Sequence, residues 1–224
     1  MFDFLDSGQY DLLGAFWVTV QLTLYSAAGS LVWGTVLAGM RVSPVPVMRG
    51  FAAAYVNVVR NIPLTVLIIG SSLGLNQTLG ITLGGSTFKD IGFRLAVLGF
   101  TAYTGTFVCE ALRSGINTVP VGQAEASRAL GLSFVQTLTL IVLPQAFRAV
   151  IAPLANVLIA LTKNTTVAAA IGVAEASLLM KEMVENEPQA LFAVFGIFAL
   201  GFVLLTLPTG LLLGWVAKRV AVKR

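Results

Sequence analysis

Five long apolar runs limit the ways in which this chain can fold. A helix needs about 20 predominantly apolar residues to cross a bilayer, and each run is long enough. Only 11% of the residues are charged, whereas soluble domains carry about a quarter. The pattern predicts an all-α integral membrane protein with five transmembrane helices. The runs cover residues 12–40, 51–75, 93–112, 138–162 and 190–217.

The distribution of Lys and Arg predicts the orientation of these helices. With the N-terminus outside, nine of the fourteen Lys and Arg residues fall in cytoplasmic segments and four in outer segments. The remaining one is Arg60, inside the second run. Because cytoplasmic loops are enriched in Lys and Arg, we expect an outside N-terminus and a cytoplasmic C-terminus. The basic tail at 218–224 is then cytoplasmic.

The composition also excludes several kinds of chemistry. The chain has no His and a single Cys109, so it lacks the commonest general base and the usual Cys/His metal ligands. We therefore predict no catalytic residue and no metal site. The net charge of +4 is interpreted as an orientation signal rather than as nucleic-acid binding. No G-x-x-x-x-G-K-[ST] loop is present, so a nucleotide-driven step requires another polypeptide.

The segment between the third and fourth runs predicts a short helix, a hinge and a second helix. Pro120 suits the start of the first helix, and Glu125 is placed in its first turn, where a carboxylate complements the helix dipole. Its alanines allow another protein to approach the backbone closely. Gly131 is the expected stop, Ser133 an expected N-cap, and Pro144 an expected kink.

These residues resemble the EAA loop of ABC-importer permeases. In that family the loop is a cytoplasmic coupling helix that docks into a groove of the ATP-binding subunit. The resemblance implies that residues 120–137 form the coupling loop. The alternative is an Ala-rich interfacial helix beside a kinked span, with a solvated carboxylate. The coupling residues that the resemblance implies are Glu125, Ala126, Ser127, Arg128, Gly131, Leu143 and Pro144.

A polar cluster interrupts the second run at Arg60-Asn61-Ile62-Pro63. Such a break is tolerated inside a membrane only where it faces protein or a water-filled cavity. A lone cation in hydrocarbon costs at least ~2.5–3.5 kcal/mol, so Arg60 needs an anion, carbonyl groups or water. It either meets a substrate carboxylate or stabilises a gate near the cytoplasmic edge. With Leu64, the cluster also resembles the R-[GN]-x-P-L segment of the polar amino acid permeases.

A second polar break, Lys163-Asn164-Thr165-Thr166, follows the fourth run. It suits a zwitterion or an anion, although a capped helix end at the interface is the alternative. It resembles the K-[DN]-[ST]-[ST] element of the same permeases, whose cation-carrying members we expect to hold acidic groups here. Residues 154–166 have none, which disfavours a cationic substrate. The predicted substrate path comprises Arg60, Asn61, Pro63, Asn156, Lys163, Asn164, Thr165 and Thr166.

Most of the chain resembles permeases of the polar amino acid (histidine/glutamine/glutamate) uptake family, and glutamate importers most of all. The segments FRLAVLGF, LRSGINTV, LIALTKNTT and EASLLMK carry this resemblance. It implies a single type I ABC importer transmembrane domain over residues 1–224, in a bacterial plasma membrane. It also implies a second permease subunit, identical or homologous, two ATP-binding subunits and an extracellular amino-acid-binding protein. No cofactor is expected on this chain, since ATP and Mg would be bound by the partner. The cargo would be glutamate, with glutamine as a possible second cargo, moved by alternating access.

A secondary transporter or channel for a small polar solute is the alternative function. It would work without an ATPase, and inverted repeats with intramembrane acidic relay residues would favour it. The sequence shows neither of these features by inspection. A membrane-embedded enzyme would need a catalytic constellation, which the residue types do not supply.

Overall fold

The computed structural model describes residues 9–220, and this part of the chain is helical without any strand. Lys223 and Arg224 of the predicted basic tail lie outside the described residues. The α-helices are α1 (Leu12–Val42), α2 (Pro46–Asn61), α3 (Leu64–Gly70), α4 (Phe88–Ile116), α5 (Val121–Ala129), α6 (Phe134–Gln136), α7 (Leu143–Asn164), α8 (Ala176–Asn186) and α9 (Leu191–Val220). A π-helix, Ser71–Thr78, continues α3, and a second, Thr137–Val142, joins α6 to α7. Short 3-10 helices follow α7 (Thr165–Ile171) and precede α9 (Pro188–Ala190).

Within residues 9–220, four helices are long and apolar enough to cross a membrane, and a bent pair supplies a fifth candidate span. The pair is Pro46–Asn61 with Leu64–Thr78, and its two halves meet at 101°. The other spans are Leu12–Val42, Phe88–Ile116, Phe134–Ile171 and Pro188–Val216. Each extends a few residues beyond the predicted apolar run at one end or at both. Polar residues can continue a helix once it leaves the hydrocarbon, so hydropathy alone underestimates its length.

The bent pair connects the two ends of the helical bundle. At the end that carries α5, Ala52 and Val56 of α2 pack in a buried cluster with Leu37 and Cys109. At the opposite end, which carries α8, Ile68 of α3 joins a different buried cluster. That second cluster also contains Leu22, Leu95 and Ile171. The chain therefore passes from one end of the bundle to the other across the break, as expected for a crossing span.

The long helices α1 and α4 approach each other closely through glycine. A Cβ atom added at Gly34 would lie 2.5 Å from Val108 Cβ and 2.7 Å from the Gly105 carbonyl oxygen. Small residues at such positions let transmembrane backbones approach and gain van der Waals contact. A salt bridge also joins α1 to α4 at the end of the bundle that carries α5, where Arg41 Nη2 lies 3.1 Å from Glu110 Oε1. Arg113 contacts the other oxygen of Glu110 at 3.4 Å.

A buried carboxyl group caps α8 at the other end of the bundle. Glu175 is fully buried, and its two oxygens accept the backbone N–H groups of Ser177 at 2.9 Å and Leu178 at 3.0 Å. Thr19 of α1 lies beside it, and the Thr19 hydroxyl oxygen accepts the N–H of Ala176 at 3.2 Å. Burial raises the pKa of Glu175 to about 7, although the two backbone donors lower it. The Glu175 carboxyl group thus caps α8 and, beside Thr19, holds it against α1.

We expect Gly34→Ala to destabilise the protein by about 1–3 kcal/mol, because the new methyl group would overpack the α1–α4 contact. The matched control is Gly39→Ala on the same helix, where an added Cβ meets nothing within 4 Å. There the helix should gain about 0.5–1 kcal/mol from the lost flexibility of glycine. Thermal unfolding of the purified complex measures both shifts, and equal shifts would contradict the packing argument.

We expect a stability contribution from Glu175 that depends on pH. Its folded pKa is raised, so the folded state holds the proton more tightly, and this contribution is complete below the ordinary pKa of 4.5. It is lost as the pH rises through about 7. The melting temperature of the wild type should fall between pH 5 and pH 8 more than that of Glu175→Gln. The control Glu182→Gln, at an exposed position of the same helix, should keep the wild-type slope.

Candidate functional site

The helix predicted for coupling is α5, which ends in a Schellman motif. The N–H of Leu132 donates to the carbonyl of Ser127 at 3.1 Å, and the N–H of Gly131 donates to that of Arg128 at 3.0 Å. This arrangement requires a left-handed residue just past the helix, and Gly131 has φ +88°. Glycine adopts this conformation without the Cβ penalty that other residues pay. The helix therefore ends just before Gly131, as the sequence predicted.

The chain re-enters the bundle through a capping box at Ser133. The Ser133 hydroxyl accepts the N–H of Gln136 at 3.3 Å, and the Gln136 side chain accepts the N–H of Ser133 at 2.9 Å. Pro144 is the second residue of α7 and directly follows a π-helical segment, so its missing N–H leaves out one bond to the preceding turn. The residues from Phe134 to Ile171 form one span without a break of more than 40°. The irregularity that we expected at Pro144 is therefore expressed as a π-helix.

Two side-chain hydrogen bonds tie α5 to the span that follows it. Ser127 is buried, and its hydroxyl lies 2.9 Å from the hydroxyl of Thr137. Because the Ser127 proton is donated to the carbonyl of Ala124 at 2.8 Å, Thr137 is the donor in this pair. Gln145 of α7 donates to the side-chain oxygen of Gln123 at 2.6 Å. A displacement of α5 therefore pulls directly on the Phe134–Ile171 span.

The outer surface of α5 is exposed. Glu125, Ala126 and Arg128 are exposed, whereas Ser127 faces its own chain. The expected first-turn position of Glu125 is wrong, because α5 begins at Val121 and its first turn holds no acidic residue. Large exposed apolar residues surround these charges, which is unusual at the polar end of a bundle. They are Val121, Leu130, Phe134 and Val135.

The predicted break in the second span is a sharp turn between two helices. Asn61 ends α2, and its side chain donates to the carbonyl of Asn57 at 2.6 Å. Ile62 adopts an extended conformation (φ −82°, ψ 128°), as the residue before a proline prefers, and Pro63 precedes α3. The turn places Arg60 at the end of α2 with an exposed side chain.

A cavity of about 330 Å³ lies between α4 and α7 and contains two of the predicted path residues, Asn156 and Asn164. These amides supply both donors and acceptors. The remaining lining is aromatic, hydroxyl-bearing or small. It consists of Tyr103, Thr104, Phe107, Val157 and Ala160.

Cationic groups flank this cavity without a carboxylate to neutralise them. The Arg60 guanidinium carbon lies 5.0 Å from the centroid of the Phe107 ring, close enough for a cation–π contact. Lys163 is exposed and lies seven residues after Asn156 on a continuous helix, which puts both on one face. Neither cation forms a salt bridge with a carboxylate of the described residues. The local field therefore favours a ligand that carries negative charge.

The other predicted residues are not brought to the cavity. Thr165 is fully buried, and its hydroxyl donates to the carbonyl of Thr162 at 2.7 Å. Thr166 makes the same kind of bond to the carbonyl of Lys163 at 2.8 Å. Leu143 and Pro144, which the motif groups with α5, line a separate groove of this bundle.

Five of the seven lining residues were not predicted from the sequence, and three of these lie on α4. Tyr103, Thr104 and Phe107 lie inside a helix that buries residues on several sides, so no single polar stripe marks them. A hydroxyl-rich stretch, Thr101 to Thr106, interrupts an otherwise apolar span and was the one available signal.

A family model supports a common origin with transport proteins. Residues 30–222 match the model of the binding-protein-dependent transport system inner membrane component. Among solved structures, "Crystal structure of an amino acid ABC transporter with histidines" has a similar fold, with a TM-score of 0.78. It covers 93% of both chains at 24% identity. The predicted all-α permease fold is thereby confirmed.

Curated relatives match nearly the whole chain. The glutamate transport system permease protein GluC of Corynebacterium glutamicum is 60% identical over 217 residues, 95% of this chain and 95% of that protein. GluC of Corynebacterium efficiens is 61% identical over the same shares. This chain therefore belongs to the family of binding-protein-dependent transport system inner membrane components, and is a multi-pass protein of the bacterial inner membrane.

Proposed function

We propose that this chain is the permease subunit of an ATP-driven importer that carries glutamate. One observation carries the proposal: α5 is hydrogen-bonded to the same span that lines the cavity between α4 and α7. The surface proposed to dock an ATP-binding subunit and the cavity proposed to hold the substrate are thus connected by the Phe134–Ile171 span. A free-standing channel or secondary transporter has no need for such a tie.

The electrostatics of the cavity support an acidic cargo. Arg60 and Lys163 supply positive charge, Asn156 and Asn164 supply neutral hydrogen-bonding groups, and the cavity lining has no carboxylate. The α-ammonium group of an amino acid would find amide and hydroxyl acceptors there, and its carboxylates would meet donors. A cationic side chain would lie near Arg60 and Lys163 with no carboxylate in the lining to pair with it. The relatives named as glutamate permeases are consistent with this assignment.

The proposed cycle transmits nucleotide-driven motion through α5. ATP and Mg bind on two separate subunits, which dock on the exposed apolar and charged surface of α5. When those subunits close, α5 moves and carries the start of the Phe134–Ile171 span through the Thr137 and Gln145 bonds. The cavity-lining part of the span then reorients, so that the site opens to the outside. Hydrolysis resets the inward-open state.

The rest of the assembly follows from the same proposal. A second permease copy, identical or homologous, faces this one across the path, with the N-terminus of each outside and the C-terminus in the cytoplasm. An extracellular binding protein delivers the amino acid to the end of the bundle that carries α8. This chain itself binds no nucleotide and catalyses no reaction.

We expect Thr137→Val to reduce ATP-driven glutamate uptake about fivefold to tenfold, because it removes the donor that holds Ser127. The matched control is Thr139→Val, which lies two residues away and whose hydroxyl bonds only within its own helical segment. Uptake into liposomes, measured with ATP hydrolysis on the same sample, separates transport from assembly. Hydrolysis should be retained while uptake falls.

A Thr137→Val complex that transports as well as Thr139→Val would contradict the proposed route of transmission. Loss of the ATP-binding subunits during purification of this variant would also count against it. In that case the residue would serve assembly rather than motion.

We expect Arg60→Gln to raise the KM for glutamate about tenfold or more and the KM for glutamine much less, because we assign Arg60 to the side-chain carboxylate, which glutamine lacks. The control is Lys181→Gln, whose ammonium group pairs with Glu185 at 3.8 Å on an exposed helix. Uptake rates across a series of concentrations give both constants. Equal changes for the two amino acids would indicate a structural role for Arg60.

A further inference from the structure

A second and larger cavity lies on the other side of the bundle. It is a groove of about 560 Å³ between the ends of α1, α4 and the fourth span that lie nearest α5. Its walls are apolar and include Val42, Ile116, Leu143 and Phe147. The one hydroxyl of the lining, on Thr35, already donates to the carbonyl of Leu31 at 2.6 Å. The walls therefore suit hydrocarbon rather than a polar solute.

One free charge stands at this groove. Arg148 contributes to the lining and is exposed, and it forms no salt bridge with any carboxylate of the described residues. An apolar groove that carries a single unpaired cation matches a molecule with a hydrocarbon tail and an anionic head. Basic pockets between transmembrane helices at the cytoplasmic side are typical sites for anionic lipid head groups.

Helix geometry places the groove opposite the proposed path. Phe107 lines the path cavity and Ile116 lines the groove, and they lie nine residues apart on α4. Nine residues of α-helix turn through about 900°, which points the two side chains in opposite directions. On α7, Phe147 of the groove also points away from Asn156. Val150 of the groove and Val157 of the cavity, seven residues apart, share a face, so the separation is carried by α4. If the path faces the second permease copy, as proposed above, the groove faces the bilayer.

We infer that this groove binds an anionic phospholipid, with its acyl chain against the apolar walls and its phosphate on Arg148. The bound lipid fills the space between α1 and the start of the fourth span. It therefore contacts the segment that α5 moves. Transport is then expected to depend on the anionic lipid content of the membrane.

The test measures lipid retained by the complete importer, purified with its ATP-binding subunits, by native mass spectrometry. Phosphatidylglycerol is titrated against phosphatidylethanolamine. Arg148→Gln should bind phosphatidylglycerol about fivefold more weakly, with little change for phosphatidylethanolamine, because one charge near a membrane surface is lost. Arg148→Lys should keep most of the preference. Inorganic phosphate should not compete, since it lacks the acyl chain.

Filling the groove gives an independent test. An added side chain at Gly39, which lines the groove, meets nothing within 4 Å, so Gly39→Phe should exclude both lipids without disturbing the fold. Gly196→Phe is the matched control, because that glycine has equally open surroundings on α9 and lies outside the groove. Unchanged lipid binding in Gly39→Phe and Arg148→Gln would overturn the inference.

A second permease copy is the competing occupant of the groove. A disulfide between two copies of Phe147→Cys would show that protein covers this face and would overturn the lipid assignment. Native Cys109 is fully buried and does not interfere with the cross-link. Lipid binding is measured without transport, so these results stand apart from the proposed glutamate path. A failed uptake experiment with Arg60→Gln would leave them unchanged.

Discussion

A broken helix inside a bilayer must satisfy its freed backbone groups with protein or water, and this requirement organises the bundle. The second span turns by 101° after Asn61. Hydrocarbon cannot surround such a turn, so the neighbouring helices and a hydrated cavity must do so. Polar side chains gather on this side, with Arg60 over the ring of Phe107 and two asparagines on α7. The opposite side of the same helices is apolar, which leaves it to lipid.

The fourth span joins the two ends of the proposed mechanism. It begins with the capping box at Ser133 and includes Thr137, which holds α5. It continues to Asn156 and Asn164 in the cavity. Its π-helical segment, Thr137–Val142, begins at the residue that bonds to Ser127 and ends before Gln145, which bonds to Gln123. Such segments are frequent at functional sites. The contacts to α5, the π-helical segment and the cavity residues therefore all lie on a single stretch of chain.

Local signals in the sequence predicted much of this arrangement. The apolar runs predicted the spans, Arg60 to Pro63 the break, and Gly131 with Ser133 the end of α5 and the next start. These features depend on residues close together in the chain. Tyr103, Thr104 and Phe107 were not predicted, because their role arises only when α4 packs beside α7. The burial of Ser127 and Thr165 was also missed, since a hydroxyl that points inward has the same sequence signal as one that points outward.

The small size of α5 limits the surface by which a permease of this kind can recognise an ATP-binding subunit. The helix has nine residues, so it is only about 13 Å long. Two of its side chains are already bonded to the following span, Ser127 to Thr137 and Gln123 to Gln145. With an ATP-binding subunit docked at α5 as proposed, its recognition rests on a handful of exposed side chains, among them Val121, Glu125 and Arg128. Substituting those few side chains is therefore a short evolutionary route by which a permease acquires a different ATP-binding subunit and still transports the same amino acid.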